Sequence, residues 1–260
     1  MTAGEALRAA PIDRLDAEVL LAHLLGIPRL DLLLDLDRPV PAAFAALVER
    51  RAKGEPVAYI IGRREFWSLD IDVAPGVLIP RPDSETLIEA AIAHFDDRAP
   101  RTILDLGTGS GALLLAALTV WPEAAGIGID TSSAALEIAR TNACRLGIPA
   151  TVQLGDWSGT GTPHDLILCN PPYIAEGAEL PRDIADWEPH AALFAGPDGL
   201  DDYRRLAPLI GAQLAEGGVA CIEVGHDKAE LVSVLFRTEK LRVDARRDLG
   251  GHQRCLIVTK

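Results

Sequence analysis

The segment LILCNPPYI, at positions 166–174, ends an apolar run on an amide side chain. The run predicts a buried strand that stops at Asn170, and Pro171 and Pro172 follow it immediately. Because proline has no backbone N–H group, the chain cannot continue there as a paired strand. Asn170, the two prolines and Tyr173 therefore form a stiff segment at a strand end, which is where ligands bind in open α/β sheets.

A glycine-rich turn lies upstream, in the segment LDLGTGSGALLLAA. It follows a predicted strand and opens a helix, so that Gly107, Gly109 and Gly111 would let the backbone turn sharply and approach a ligand closely. Asp130 ends the next predicted strand, where its carboxylate could accept hydrogen bonds from both hydroxyls of a ribose. This order of strand, glycine turn, helix, strand and acid predicts a site for a nucleoside-type cofactor.

The position of Asp105 discriminates between two such cofactors. NAD-dependent enzymes place a pyrophosphate on the glycine turn. A carboxylate two residues before Gly107 would repel that group, whereas it suits the ammonium group of a methionine moiety. The sequence therefore favours S-adenosylmethionine over NAD.

The elements that position these residues are predicted from hydrophobic periodicity. Strands and helices alternate from Thr102 onward, which predicts a mainly parallel sheet with helices on both faces. Apolar residues near the N-terminus instead recur at helical spacing and predict a small helical bundle. Between the two parts, SLDIDV alternates in period two and, with YIIGRREFW and the turn at Pro75-Gly76, predicts a β-hairpin.

Three domains follow from these elements. Residues 1–56 are predicted to form the helical domain, residues 57–82 a β-hairpin linker, and residues 83–260 the α/β domain. The last domain begins at the segment RPDSE, where Asp83 or Ser84 is expected either to cap a helix or to have a role over the active site.

Four motifs together, DLGTGSG, the strand-end Asp130, GDW at 155–157 and NPPYI, resemble the Rossmann-like methyltransferases that use S-adenosylmethionine to modify planar amino groups. Within that group, the chain resembles over nearly its whole length the protein-(glutamine-N5) methyltransferases of peptide chain release factors, the PrmC/HemK family. Further segments match that family's pattern: GEPVAYIIGRREFW (54–67), LIPRPDSETLIE (78–89), WEPHAALFAGPDGL (187–200) and GHQRCLIV (251–258).

The resemblance implies both a fold and a reaction. The fold is a Rossmann-like methyltransferase domain with a mainly parallel, seven-stranded sheet, joined by a β-hairpin to a small N-terminal helical-bundle domain that recognises the substrate. The reaction is transfer of a methyl group from S-adenosylmethionine to the side-chain amide nitrogen of the glutamine in the Gly-Gly-Gln motif of release factors. No metal is expected, since the six histidines are scattered without ligand spacing.

The resemblance also implies a role for each site residue. Asn170 and the backbone carbonyl of Pro171 would accept the two N–H groups of the target amide, and Tyr173 would lie against its plane. Asp156 would accept a hydrogen bond from the adenine amino group, and Trp157 would give the ring an apolar contact or a backbone N–H. The expected cofactor contacts are Asp105, Gly107, Thr108, Gly109, Ser110, Gly111, Asp130, Asp156, Trp157 and Asn170, and the expected substrate contacts are Asn170, Pro171, Pro172 and Tyr173.

Charge and motif content weigh on the alternative functions. An adenine or cytosine amino-methyltransferase acting on DNA or RNA would also present an amino group on a planar system to the Asn170 segment. Such an enzyme needs Lys and Arg for phosphate contacts, and this chain has a net charge of −13. An NAD(P)-dependent oxidoreductase would need a proton donor beside the nicotinamide, for which no constellation is found. A non-catalytic binding module would have no use for the Asn170 chemistry.

The cysteines and the apolar segments indicate in which cellular compartment the protein is found. The four cysteines have no Cys-x-x-Cys spacing and are predicted to be free thiols of a reducing compartment. The N-terminus shows no secretory signal, and the run ALLLAALTVW is about half the length that a membrane span needs. The prediction is a cytoplasmic protein without membrane or nucleic-acid partners.

Overall fold

The computed structural model describes all 260 residues, which form two compact units. One unit comprises Met1–Arg63 and Leu180–Glu188, and the other comprises Arg64–Glu179 and Pro189–Lys260. A short segment late in the sequence therefore belongs with the N-terminal residues. The three domain ranges predicted from the sequence stay predictions.

The helices and strands have the following bounds. The helices are α1 Ala3–Ala9, α2 Arg14–Leu25, α3 Arg29–Leu34, α4 Phe44–Ala52, α5 Val57–Ile61, α6 Glu85–Phe95, α7 Ala112–Val120, α8 Ser133–Leu146, α9 Arg182–Ala185, α10 Asp201–Gln213 and α11 Ala229–Thr238. The strands are β1 Arg63–Phe66, β2 Leu69–Asp72, β3 Thr102–Leu106, β4 Ala125–Asp130, β5 Ala150–Leu154, β6 His164–Cys169, β7 Leu214–Glu223, β8 Arg242–Arg247 and β9 Gln253–Thr259. None of the helices is both long and apolar enough to span a membrane.

The N-terminal unit is the expected helical bundle. Leu20 and Leu21 of α2 and Leu32 of α3 are fully buried, and Phe44 at the start of α4 packs into the same apolar cluster. The bundle is therefore held by burial of the apolar helix faces that the periodicity indicated.

The hairpin differs from the prediction in its turn and in its first strand. β1 and β2 are joined at Trp67 and Ser68, and not through Pro75-Gly76. Both turn residues have positive φ, 52° and 61°, which is the twist that a two-residue hairpin loop requires. Residues 59–61, predicted to be part of the strand, are helical in α5, which ends where Gly62 adopts the left-handed conformation.

The larger unit contains a seven-stranded sheet in the order β5-β4-β3-β6-β7-β9-β8. The pairs from β5 across to β7 are parallel, and β9 is antiparallel to both of its neighbours. Both faces are covered, because the consecutive β3 residues Ile103 and Leu104 are each fully buried. The predicted mainly parallel, seven-stranded sheet is confirmed.

The direction of strand addition reverses at β3. The chain first adds β4 and β5 on one side of β3, and then returns to add β6 on the other side. Leu106, the last residue of β3, pairs with Ile129 of β4 and with Cys169 of β6. The loops that follow these three strands therefore begin at the same edge of the sheet, where open α/β folds bind their ligands.

Candidate active site

A pocket lies at this edge, beyond the carboxyl ends of the central strands. It has a cavity volume of about 230 Å³ and opens to solvent. Seven of the predicted site residues line it: Gly107, Gly109, Asp130, Asp156, Trp157, Asn170 and Pro172. Asp130 is the last residue of β4, and the others come from the loops after β3, β5 and β6, so the sheet register brings together side chains that are far apart in the sequence.

The glycine turn is tied to the neighbouring strand by backbone hydrogen bonds. The N–H groups of Gly107 and Thr108 both donate to the carbonyl of Ile129, at 2.8 and 2.9 Å. Gly107 has a φ of 71°, and a Cβ atom added there would come within 3.2 Å of the Trp157 ring. Only glycine meets both conditions, so the backbone itself forms this wall of the pocket.

Asp130 is oriented by two backbone donors. One carboxylate oxygen accepts from the N–H of Gly109 at 2.9 Å, and the other accepts from the N–H of Ser132 at 2.8 Å. Each oxygen has a further lone pair, so the carboxylate keeps the capacity to accept hydrogen bonds from a pair of ligand hydroxyls. The side chain is preorganised for the predicted ribose contact.

Trp157, which lies beside the glycine turn, and its neighbour Asp156 are held in place by hydrogen bonds. The indole Nε1 of Trp157 donates to Asp202 at 2.8 Å, and the side chain of Gln213 donates to the Trp157 carbonyl at 2.8 Å. Hydrogen bonds from the side chain and the backbone of Ser158 hold the pKa of Asp156 below its usual range. The Trp157 ring and the ionised Asp156 are both held where the predicted adenine contact would need them.

Asp105 lies behind the glycine turn and is fully buried. Its Oδ2 accepts from the hydroxyl of Thr108 at 2.6 Å, whereas its Oδ1 has no hydrogen-bond partner. Burial raises the pKa of Asp105 to about 7. The unsatisfied buried oxygen fits a site that receives a cationic group, although Asp105 does not line the pocket.

The Asn170 segment forms hydrogen bonds with two buried polar residues, Ser84 and Glu223. The Nδ2 of Asn170 donates to the hydroxyl of Ser84 at 3.3 Å, and that hydroxyl donates to Oε2 of Glu223 at 2.5 Å. The phenol of Tyr173 donates to Oε1 of Glu223 at 3.4 Å. Burial raises the pKa of Glu223 to about 7 and also raises the pKa of Tyr173.

The backbone after the two prolines is fixed by a second segment. Ile174 donates its N–H to the carbonyl of Leu193, and Ala195 donates to the carbonyl of Ile174, both at 2.9 Å. A Cβ atom at Gly199 would lie 2.3 Å from the carbonyl oxygen of Tyr173, so glycine is needed for this close approach. Pro171 is buried in this packing, and its carbonyl therefore has little freedom to move.

Five predicted residues besides Asp105 do not line the pocket: Thr108, Ser110, Gly111, Pro171 and Tyr173. Thr108 and Ser110 are buried within the turn, and Gly111 precedes α7. Sequence reasoning missed other lining residues, which are Gly76, Val77, Leu78, Ile129, Thr131, Ser132, Ala135, Gly155, Pro189, Ala191 and Ala192. Five of these residues fall within motifs noted above, which were the available signal: Leu78, Gly155, Pro189, Ala191 and Ala192.

The predicted capping role of the segment RPDSE is only partly met. Ser84 stands at the N-cap position of α6 as expected, but its side chain makes no capping hydrogen bond. Ser84 donates its hydroxyl proton to Glu223 instead, and Asp83 forms an ion pair with Arg254 at 3.1 Å.

Comparison with known proteins identifies relatives along the whole chain. The profile described as PrmC N-terminal domain matches residues 1–62, and the methyltransferase small domain matches residues 83–186. A release factor glutamine methyltransferase of Caulobacter vibrioides is 39% identical, with 99% of this chain and 94% of that protein covered. A protein of the same name from Xylella fastidiosa is 43% identical, with 95% and 93% covered.

A solved structure shares the fold at lower sequence identity. A methyltransferase from Pyrococcus furiosus is 17% identical, covers 82% of this chain and 96% of its own, and superposes with a TM-score of 0.57. The likeness confirms the expected Rossmann-like methyltransferase fold.

The buried Asp105 carboxylate predicts a specific pH dependence of stability. The pKa is about 7 in the folded protein and 3.8 ordinarily, so the folded state binds this proton more tightly. Stability from this group is therefore lost as the pH rises from about 4 to 7. The Asp105→Asn protein cannot ionise at this position. As the pH rises from about 4 to 7, its free energy of unfolding should therefore increase relative to that of wild type, by up to roughly 4 kcal/mol.

Urea unfolding of the ligand-free protein between pH 4.5 and 8 measures this difference directly. A difference between the two proteins that does not change with pH would show that Asp105 titrates normally. The constant cost of the substitution itself cancels, because only the slope with pH is compared.

Proposed function

The chain belongs to the release factor glutamine methyltransferases, and we propose which of its residues carry out the reaction. It is an S-adenosylmethionine-dependent enzyme that methylates the side-chain amide of a glutamine in release factors. The observation that carries the assignment of residues is the convergence of Gly107, Asp130 and Asn170 on one pocket at the sheet edge. The target glutamine is proposed to lie in a Gly-Gly-Gln motif, whose glycines let the backbone enter a narrow cleft.

The residues of the pocket fit the cofactor. Asp130 would hold the ribose hydroxyls, Asp156 and Trp157 would hold the adenine, and the backbone of the glycine turn would lie along the methionine part. The unpartnered Oδ1 of Asp105 supplies negative charge on the side of the turn where the cofactor's ammonium group is expected. When bound, S-adenosylmethionine supplies an electrophilic methyl group on its sulfonium.

Asn170 and Pro171 are proposed to hold the target amide by its two N–H groups. A primary amide is a poor nucleophile because its nitrogen lone pair is delocalised. The side-chain oxygen of Asn170 and the carbonyl of Pro171 are neutral acceptors that would aim this nitrogen at the reacting carbon. As the nitrogen loses electron density, its N–H groups become stronger donors, so that both hydrogen bonds tighten in the transition state.

Pro172 and Tyr173 complete the proposed substrate site. The stiff Pro171-Pro172 backbone keeps the acceptors in place before the substrate arrives, so that little order must be gained on binding. Tyr173 would contact the flat face of the amide. Because methylation makes the nitrogen acidic, its surplus proton is released to solvent without a dedicated base.

The helical unit is proposed to recognise the release factor. A glutamine side chain offers few atoms to grip, so specificity for one protein must come from surface beyond the pocket. Leu30 and Leu34, one turn apart on α3, are 66% and 79% exposed and provide an apolar surface for a protein partner. A cytoplasmic location is part of this proposal and agrees with the four free thiols.

Labelled methyl transfer tests the reaction and its alternatives together. Purified enzyme is incubated with labelled S-adenosylmethionine and a release factor, with DNA and tRNA in parallel reactions. Label in the release factor at the glutamine side chain is the expected result. Label in nucleic acid alone would favour the amino-methyltransferase acting on DNA or RNA.

The Asp130 carboxylate should contribute directly to cofactor affinity. Asp130→Ala removes the acceptor of the ribose hydroxyls and should weaken S-adenosylmethionine binding by roughly 1.5–3 kcal/mol, the range for hydrogen bonds to charged groups. Titration calorimetry measures the change, with Glu137→Ala on the exposed side of α8 as the control. Unchanged affinity in a folded Asp130→Ala protein would exclude the proposed contact.

Asn170 should matter more for turnover than for substrate binding. Asn170→Ala should lower kcat by about 100-fold to 1,000-fold, the effect of losing one preorganised transition-state contact, with a smaller change in KM. Asn170→Asp keeps an acceptor and should retain more activity than Asn170→Ala. Steady-state kinetics on a Gly-Gly-Gln peptide measure both, and near-normal kcat in Asn170→Ala would contradict the amide clamp.

The apolar surface of α3 should affect the protein substrate selectively. Replacing Leu30 and Leu34 together by serine should raise KM for a full-length release factor and leave KM for a short Gly-Gly-Gln peptide nearly unchanged. Leu231→Ser, at a position 58% exposed on α11, serves as the control. Equal losses on peptide and protein would mean that α3 supports the fold and does not recognise the partner.

A further inference from the structure

Two buried polar residues outside the pocket lining are connected to Asn170 by a chain of hydrogen bonds. Ser84 is 3% exposed and Glu223 is 1% exposed, and neither reaches the pocket surface. The hydrogen bonds run from Asn170 Nδ2 to the Ser84 hydroxyl, and from that hydroxyl to Glu223 Oε2. The three residues come from the end of β6, the 3₁₀ turn Pro82–Ser84 and the end of β7.

We propose that Ser84 and Glu223 are positioning residues that fix which atom of the Asn170 amide faces the substrate. The inference rests on the function proposed for Asn170 above. Only the amide oxygen can accept a substrate N–H group, yet the oxygen and the NH₂ group of asparagine have nearly the same shape. A half-turn of the amide would therefore place a donor where an acceptor is needed.

The direction of each hydrogen bond is forced from the carboxylate upward. An ionised carboxylate can only accept, so the single hydroxyl proton of Ser84 is directed to Glu223. Ser84 can then only accept from Asn170, and the NH₂ group of Asn170 must face it. The Asn170 oxygen is left to face the substrate, already oriented before binding, which avoids reorganisation in the transition state.

The groups around Glu223 determine whether it is ionised. Burial and the carboxylate of Asp83 disfavour the charge, whereas Arg254 on β9 and the donors Ser84 and Tyr173 favour it. Tyr203 from α10 donates to the backbone carbonyl of Glu223 at 2.9 Å and holds the strand end. Because burial raises the Glu223 pKa to about 7, the charged form predominates only above neutral pH.

Protonation of Glu223 removes the constraint. The neutral acid can donate to Ser84, whose own proton is then available to the Asn170 oxygen, so that the amide can turn. The turnover of wild-type enzyme should consequently rise with pH through about 7. A buried carboxylate also costs stability compared with an apolar residue, which supports a role in the reaction rather than in folding.

Two substitutions test the chain at different points. Glu223→Gln keeps the size of the side chain but can donate to Ser84, and Ser84→Ala deletes the link to Asn170. Each should lower kcat by about 10-fold to 100-fold through misorientation of the acceptor, with little change in KM or in S-adenosylmethionine affinity by calorimetry. The double variant should lose no more than the worse single variant, because the chain is already broken.

The control for Ser84→Ala is Ser233→Ala. Ser233 is a buried serine, 4% exposed, whose hydroxyl donates to a backbone carbonyl within α11, away from the pocket. Its replacement should leave kcat unchanged. The wild-type profile of kcat against pH, measured with S-adenosylmethionine saturating at every pH so that titration of Asp105 does not limit binding, is a second readout that needs no variant, and its acidic limb should be absent in Glu223→Gln.

The outcomes separate this inference from the proposed function. If the wild-type enzyme is active, three results would overturn the inference and leave the proposed function intact. These are a normal kcat in either variant, losses in kcat that multiply in the double variant, and an acidic limb that persists in Glu223→Gln. Loss of cofactor affinity in parallel with kcat would also overturn it, because the residues would then be structural. A wild-type enzyme that transfers no methyl group to a release factor would overturn the proposed function, and this inference with it.

Discussion

The hydrogen-bond register between β3, β4 and β6 is the constraint on which the active site depends. Leu106 pairs with Ile129 on one side and with Cys169 on the other. The glycine turn, Asp130 and Asn170 follow these residues directly, so a slip of one residue in any pair would turn an active-site side chain to the other face of the sheet. The fully buried sheet core prevents such a slip, since every strand residue on both faces would exchange its partners.

The site also contains two buried carboxylates, whose negative charge is destabilised by burial. Asp105 and Glu223 are both fully buried, and their pKa values are raised to about 7 for the same reason, which is loss of hydration. The fold compensates in part with hydroxyl donors, Thr108 for Asp105 and Ser84 for Glu223. Both carboxylates lie next to groups assigned to cofactor or substrate, so the destabilising charge is concentrated where the reaction uses it.

Local sequence signals predicted the sheet and the residues at its strand ends. Asp130 and Asn170 could be assigned because each ends an apolar strand, and the glycine turn because it joins a strand to a helix. The pairing of Ser84 with Glu223 could not be predicted, because the two residues lie 139 positions apart and the motif that contains Ser84 does not indicate its partner. The predicted hairpin turn was wrong because Trp67 and Ser68 both adopt positive φ, whereas such turns usually contain Gly, Asn or Asp.

The central claim is that the oxygen of Asn170 and the carbonyl of Pro171 grip the two N–H groups of the target glutamine. A crystal structure of the enzyme with S-adenosylhomocysteine and a Gly-Gly-Gln peptide measures this directly. We expect the glutamine side-chain nitrogen at hydrogen-bond distance from both oxygens, about 2.7–3.2 Å, with the NH₂ group of Asn170 still on Ser84. A glutamine nitrogen bound away from Asn170, or an Asn170 amide presenting its NH₂ group to the peptide, would contradict the account.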